Sequence, residues 1–242
     1  DTVNEYADNW FKKSSYEIDM CSGPLFTKIV VFSLPLMMSG LLQLLYNAAD
    51  IIVVGRFAGS TALAAVGSTG SLTNLIVSLF MGLSVGSSVT VAQYYGAGEH
   101  HHVSEVVHTS VATSIVTSII VSIFGISMAE KLLAAMGTPP DVLGQATLYL
   151  RIYFSGMPAS MLFNYGSSIL RAVGDTKRPL LYLSISGILN VVLNLILVIF
   201  FRMGVAGVAI ATVISQVLSA VLVVICLIQF NGSIKLDLRA IR

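Results

Sequence analysis

Long apolar runs, broken by short polar connections, set the pattern of this chain. Ile29 to Ala49 carries no charge and is interrupted only by Pro35. Phe57 to Gly98 is uncharged throughout and longer than one crossing needs, which predicts a helix near Ala62–Val91 with polar ends. A third run covers Thr109–Ala129, opening near Ser104. A fourth covers about Val142–Leu170 and carries Arg151 near its start. A fifth covers Leu180–Phe201, and a sixth lies within Gly204–Ile234, ending near Ile228. A helix needs about 20 apolar residues to cross a bilayer. None of the runs alternates with the period of two that a barrel strand needs. The expectation is an all-α membrane protein, a bundle of six transmembrane helices, with no room for a sizeable soluble domain.

Composition supports this. Of 242 residues, 55% are hydrophobic and 10% charged, with mean hydropathy +0.86. Soluble domains carry about 25% charged residues because water must solvate their surface. Here that surface is missing, and lipid must take its place. A net charge of +1, with scattered basic residues, gives nucleic acid no patch to bind. Cys21 and Cys226 are far apart and suggest neither a disulfide framework nor a metal site.

Charge placement orients the bundle. With the N-terminus inside, the inner segments hold Lys12, Lys13, Lys28, Arg171, Lys177, Arg178, Lys235, Arg239 and Arg242; the outer ones hold Arg56, Lys131 and Arg202. Nine against three follows the positive-inside rule and puts both ends of the chain in the cytoplasm. Residues 1–25, with Trp10, Phe11 and Tyr16 among several charges, read as an amphipathic cytoplasmic segment. Residues 26–230 form the bundle, and 231–242 begin a cytoplasmic loop.

Polar side chains inside the spans carry the chemistry, because hydrocarbon tolerates them poorly unless they are used. Asp50, in LQLLYNAADIIVVG, follows a long uncharged run and precedes four more apolar residues. It is either an interfacial carboxylate paired with Arg56 or a working group below the interface. Asn190 and Asn194 are spaced i, i+4 and so project from one helix face. With Thr212 of the last helix they are candidate partners for Asp50, or simply interhelical hydrogen-bonders. Pro35 removes a backbone hydrogen bond and can hinge the first helix. His100, His101 and His102 follow GAGE and read as a solvated loop, with a metal-binding or pH-sensing role as the alternative. No nucleophile–base pair, phosphate loop or metal-ligand spacing points to an enzyme.

Five strings then resemble one family: LPLMMSGLLQLLYNAADIIVVGRFAG, ALAAVG, VAQYYGAG, RAVGDTKRP and GVAGVAIATVISQ, in order, within Leu25–Asn231. They resemble the N-terminal lobe of multidrug and toxic compound extrusion (MATE) transporters. The resemblance implies one six-helix lobe of a twelve-helix, two-lobed antiporter that exports cationic or amphipathic drugs across the plasma membrane, the inner membrane in bacteria. Protons or sodium ions drive such export, without a cofactor. The partners it implies are drugs, membrane lipid and a C-terminal lobe that this chain lacks. Under it, Asp50 matches the first-helix carboxylate and Pro35 the proline near which that helix bends. Asn190 and Thr212 match polar positions of the cation site, where a bound sodium ion would be the one metal. Asn194 departs from the family, many of whose prokaryotic members have aspartate there, and this favours protons. A lipid-linked oligosaccharide flippase of the same wider superfamily is the alternative; its cavity should be strongly cationic, whereas Arg151 is the one embedded cation seen here.

The charge count makes a direct expectation. Cysteine substituted at Lys177 should react with a membrane-impermeant reagent only from the cytoplasmic side, and cysteine at Lys131 only from outside. Labelling of both from one side would break the six-span order.

Overall fold

A computed structural model of the chain describes residues 25–230, 232 and 234–236. The amphipathic segment expected over 1–25 therefore lies outside the described residues, Leu25 excepted, as does most of 231–242. The described chain is helical: α1 (Leu25–Phe57), α2 (Ser60–Gly96), α3 (His100–Ala135), α4 (Pro140–Ser155), α5 (Met157–Ala172), α6 (Lys177–Leu195) and α7 (Gly204–Gln229). A single π-helical turn, Ile196–Phe200, extends α6. Five helices, α1, α2, α3, α6 with its π turn, and α7, are long and apolar enough to cross a membrane. At 37 and 36 residues, α2 and α3 are each roughly 55 Å long. Their ends therefore project beyond a hydrocarbon core of about 30 Å.

The fourth expected span differs in a way the apolar pattern did not show. It is two 16-residue helices, α4 and α5, joined at Gly156. The break has a local cause. Pro158 sits in the first turn of α5, where a missing N–H costs nothing and a fixed φ suits the helix. Gly156 admits α7 to the joint: a side chain there would begin 2.7 Å from Val213 Cγ2 and 2.9 Å from Gln216 Oε1. This pair of helices is also the core of the bundle. It packs against α2, α3 and α7, and Leu150, Phe154, Met157, Met161, Tyr165, Ile169 and Leu170 are essentially inaccessible. Packed on three neighbouring helices, α4 and α5 need a less uniformly apolar surface than a helix with most of its face outward.

The RAVGDTKRP string forms the α5–α6 turn. Gly174 takes φ +91°, and the fully buried Asp175 follows it. Asp175 Oδ1 accepts the Arg178 backbone N–H at 3.1 Å, and Oδ2 faces Arg178 Nε at 3.3 Å. The Arg178 guanidinium also lies 5.6 Å from the centre of the Phe230 ring, tying the start of α6 to the end of α7. Beyond α7 the chain folds back: Ile234 and Leu236 are buried, and the Leu236 N–H bonds Leu227 O at 3.0 Å.

Helix α1 stands at the edge. Only 6% of its most apolar stretch is buried, against 33% for α7, and it packs chiefly on α6. Its outward Ile29, Leu34, Met37, Leu41, Leu44 and Ile52 suit lipid, which is as apolar as they are. One close fit holds it. The Tyr46 ring lies directly over Gly187 of α6, where a β-carbon would fall within the ring. The Tyr46 hydroxyl reaches the carbonyls of Leu183 and Ser184, each at 3.4 Å. Replacing Gly187 by alanine would on helix propensity alone stabilise by about 1 kcal/mol. Overpacking against the ring costs about 1–3 kcal/mol or more, and this overlap belongs at the upper end. We therefore expect Gly187→Ala to destabilise the purified protein by roughly 1–2 kcal/mol net, read as a lower thermal midpoint in detergent. An unchanged or raised midpoint would show that Tyr46 does not anchor α1.

Candidate functional site: a buried carboxylate between three helices

Asp50 lies seven residues before the end of α1, on the same face as Tyr46 one turn earlier. The contact that seats Tyr46 on Gly187 thus also delivers Asp50 to α6. The carboxylate is 8% exposed, withdrawn from water within the bundle. Among the described residues it makes no salt bridge, and the Arg56 pairing considered from sequence does not form. Its polar partners are neutral. Asn194 Nδ2 donates to Asp50 Oδ1, and the Thr212 hydroxyl is within interaction range.

The two asparagines occupy one face of α6, as their spacing predicts. Both are buried, Asn194 completely. Asn194 Nδ2 also donates to Asn190 Oδ1 at 3.2 Å, and Asn190 Nδ2 donates to Thr212 Oγ1 at 3.4 Å. The Thr212 hydroxyl donates to the Val208 carbonyl one turn back on α7, at 3.0 Å. These bonds run outward from Asn194 and link α6 to α1 on one side and to α7 on the other. One atom stands outside them: Asn194 Oδ1 is buried with no hydrogen-bond partner. A buried, unpaired amide oxygen costs about 1–3 kcal/mol, so its place beside a carboxylate calls for a proton or a cation to satisfy it.

Pro35 is not part of this cluster. It lies fifteen residues earlier on α1, about 22 Å along the axis. It is buried, and its carbonyl accepts from Ser39 Oγ at 2.8 Å. The helix runs through it unbroken. Immediately after Asn194, α6 widens into its π turn, a distortion often found at functional sites.

Three residues near the site were not singled out from sequence. Tyr149 and Tyr153 of α4 stack at 6.2 Å between ring centres, and Tyr149 is close enough to Asp50 for the two to interact electrostatically. Gln216 of α7 interacts with Tyr153, while its own Oε1 is buried without a donor. The signal was present: both pairs, Tyr149/Tyr153 and Thr212/Gln216, are polar residues spaced i, i+4 inside apolar helices. Arg151, between the two tyrosines, was read as an embedded cation. It is instead half-exposed and faces Glu130 of α3, with Nη2 3.7 Å from Oε2. An exposed pair of this kind contributes little, and it brings no positive charge to Asp50.

Comparison with known proteins agrees with this architecture. The sequence matches the MatE family over residues 35–196. It is 30% identical over 198 residues to the probable multidrug resistance protein YpnP of Bacillus subtilis, an alignment covering 82% of this chain and 44% of that protein. It is 31% identical over 211 residues to the probable multidrug resistance protein YoeA of the same organism, covering 86% and 46%. Among solved structures, MATE in the bent conformation superposes with TM-score 0.83 at 30% identity, over 88% of this chain and 48% of that one. MATE in the straight conformation gives 0.85 at 29%, over 94% and 51%. A transporter of the MOP superfamily from Pyrococcus furiosus, described as having a binding pocket of reversed polarity, gives 0.87 at 29%, over 95% and 51%. The chain spans about half the length of the curated relatives it matches. With the motifs, the apolar helical bundle and the family match in agreement, this chain is a multi-pass membrane protein and belongs to the MatE family of multidrug efflux transporters.

Proposed function

We propose that the chain acts as the N-terminal lobe of a cation-coupled antiporter that exports cationic or amphipathic drugs, with both of its ends on the cytoplasmic side. The names of its relatives support drug export, and binding near the interface of two repeats is the general arrangement of such transporters. The observation that carries the coupling role is Asp50 itself: a carboxylate withdrawn from water, held only by neutral donors, beside an amide oxygen that has none.

The chemistry of the site suits a proton. Ionised, Asp50 accepts from the Asn194 amide, as in the structure. Protonated, it becomes a donor and needs an acceptor, and a rotation of the same amide presents Asn194 Oδ1. Asn194 can therefore serve both charge states, while the chain through Asn190 to Thr212 transmits the change to α6 and α7. Such a switch drives transport only if the two protonation states favour different conformations. Here the proposal is that proton binding weakens the attachment of Asp50 to α6, lets α1 bend near Pro35 and releases the drug outward. Asp50→Asn keeps the shape and removes the titrating proton. In the full-length transporter it should reduce drug efflux to the level of an empty membrane, with expression and helix content unchanged. Efflux at the wild-type rate would assign Asp50 a packing role only.

The coupling ion is a separate question with its own test. Sodium prefers several oxygen ligands, and a carboxylate neutralises it better than an amide does. Only Asp50 supplies a carboxylate to the cluster described, so the proton is the passenger we assign. In liposomes an imposed pH gradient should drive efflux, and a sodium gradient alone should not. Asn194→Asp, by adding a second carboxylate, should confer a sodium response. Sodium-driven transport by the unaltered protein would overturn the assignment to protons.

A further inference from the structure

The histidine triplet has a different setting from the loop expected of it. His100, His101 and His102 form the first turn of α3. Consecutive histidines do not share a helix face, but a residue one turn later can lie between two of them, and Glu105 does. It is i+4 from His101 and i+3 from His102. Its Oε1 stands 3.7 Å from His101 Nδ1 and its Oε2 stands 3.2 Å from His102 Nδ1. One ligating atom from each of the three residues can be chosen so that all lie within 4.8 Å of one another. The two imidazole rings meet edge to face, 5.8 Å apart, so neither blocks the other's approach.

We infer that this turn is a binding site for a divalent transition metal, Zn²⁺ being the best match, with His101, His102 and Glu105 as ligands and water completing the shell. The donor set selects the class: imidazole suits zinc, copper and nickel, whereas calcium and magnesium prefer oxygen alone. The spacing suits the size. Zinc binds nitrogen at about 2.0–2.1 Å and oxygen at about 2.0–2.2 Å, so tetrahedral ligands sit roughly 3.3–3.5 Å apart. The His101–Glu105 and His102–Glu105 separations, 3.7 and 3.2 Å, lie on either side of that distance, and rotations of these exposed side chains would draw the three ligand atoms, all within 4.8 Å, onto one ion.

The surroundings supply the support that ligating histidines usually have. The other ring nitrogen of His102, Nε2, faces Glu99 Oε2 at 3.9 Å, so a shift of under about 1 Å would bring this carboxylate into the hydrogen bond by which an outer carboxylate orients a metal-bound imidazole. The Tyr94 ring lies against His102 with 5.2 Å between centres and limits its rotation. Two carboxylates, Glu99 and Glu105, offset the positive end of α3 that would otherwise repel a cation. The cluster is at the opposite end of α2 from the α1–α2 turn near Asp50, so it is a separate site from the one that would couple transport. Its exposure marks it as a site open to exchange with the surrounding solution.

The test uses the purified protein in detergent, free of any polyhistidine tag, titrated with Zn²⁺ in competition with a chromophoric chelator. The unaltered protein should bind one Zn²⁺ per chain at this site. His101→Ala combined with His102→Ala should weaken that binding at least ten-fold, and Glu105→Gln should weaken it several-fold. His108→Ala, two turns along the same helix, should leave it unchanged. Because these positions are exposed, helix content by circular dichroism should be the same throughout. Zn²⁺ should raise the thermal midpoint of the unaltered protein and not that of the double variant. Equal affinity in the unaltered protein and the double variant, or no binding by the unaltered protein, would overturn the proposal and leave the cluster as a set of surface His–Glu pairs.

Discussion

A carboxylate withdrawn from water among apolar helices constrains everything around it. Ionised and unpaired, such a group is too costly to keep, and no cation meets Asp50 among the described residues. The Asn194 amide of α6 answers it directly, backed by the Asn190 amide on the same helix and the Thr212 hydroxyl of α7. The requirement explains why α6 carries two asparagines on one face, and why α7 places Thr212 opposite them. It also gives the Tyr46–Gly187 fit its importance, since that contact sets the depth at which Asp50 meets α6. The bundle is assembled around α4 and α5, but its polar chemistry is arranged around one oxygen pair on α1.

The resulting network is satisfied in one direction and open in the other. Its hydrogen bonds run outward from Asn194, to Asp50 on one side and through Asn190 to Thr212 on the other. Low polarity strengthens each of these bonds and raises the cost of every oxygen left out. Asn194 Oδ1 and Gln216 Oε1 are two such oxygens, on neighbouring helices near the same centre. A rigid core would have no reason to keep them. The protonation change proposed for Asp50 would give Asn194 Oδ1 a donor in one of its two states.

Much of this could be read along the chain. Uncharged length alone located five of the crossings, since hydrocarbon imposes a minimum run that little else in a protein requires. Asp50, Asn190, Asn194 and Thr212 stood out because each is expensive where it lies, and the structure brings all four together. The reading fell short where the environment is protein rather than lipid. The fourth span packs against α2, α3 and α7, and hydropathy carried no trace of the break at Gly156, where Pro158 opens the next helix and α7 comes close. Tyr149, Tyr153 and Gln216 were passed over because aromatic and amide side chains pack readily in bundles, and only proximity to Asp50 distinguishes them. Arg151 misled for the converse reason: an apolar run does not show which side of its helix turns outward. The histidines misled because the polar stretch around them resembles a loop, whereas α3 continues past the hydrocarbon and is helical there.

The seating of α1 has a mechanical side as well. Tyr46 and Asp50, its two specific attachments to α6 described above, are one turn apart, so they act as a single pivot near one end of a long rod. From Tyr46 back to Phe26 is about 30 Å of helix. A tilt of about 10° about that pivot moves the far end by roughly 5 Å, a distance comparable to the diameter of an aromatic ring, while atoms at the pivot shift by only a fraction of that. On the proposed mechanism this is a lever with its short arm at the carboxylate: as long as α1 stays straight, a rearrangement no larger than the turning of one amide at Asn194 would be magnified at the far end of the helix, and a bend near Pro35 would confine that motion to the segment before it.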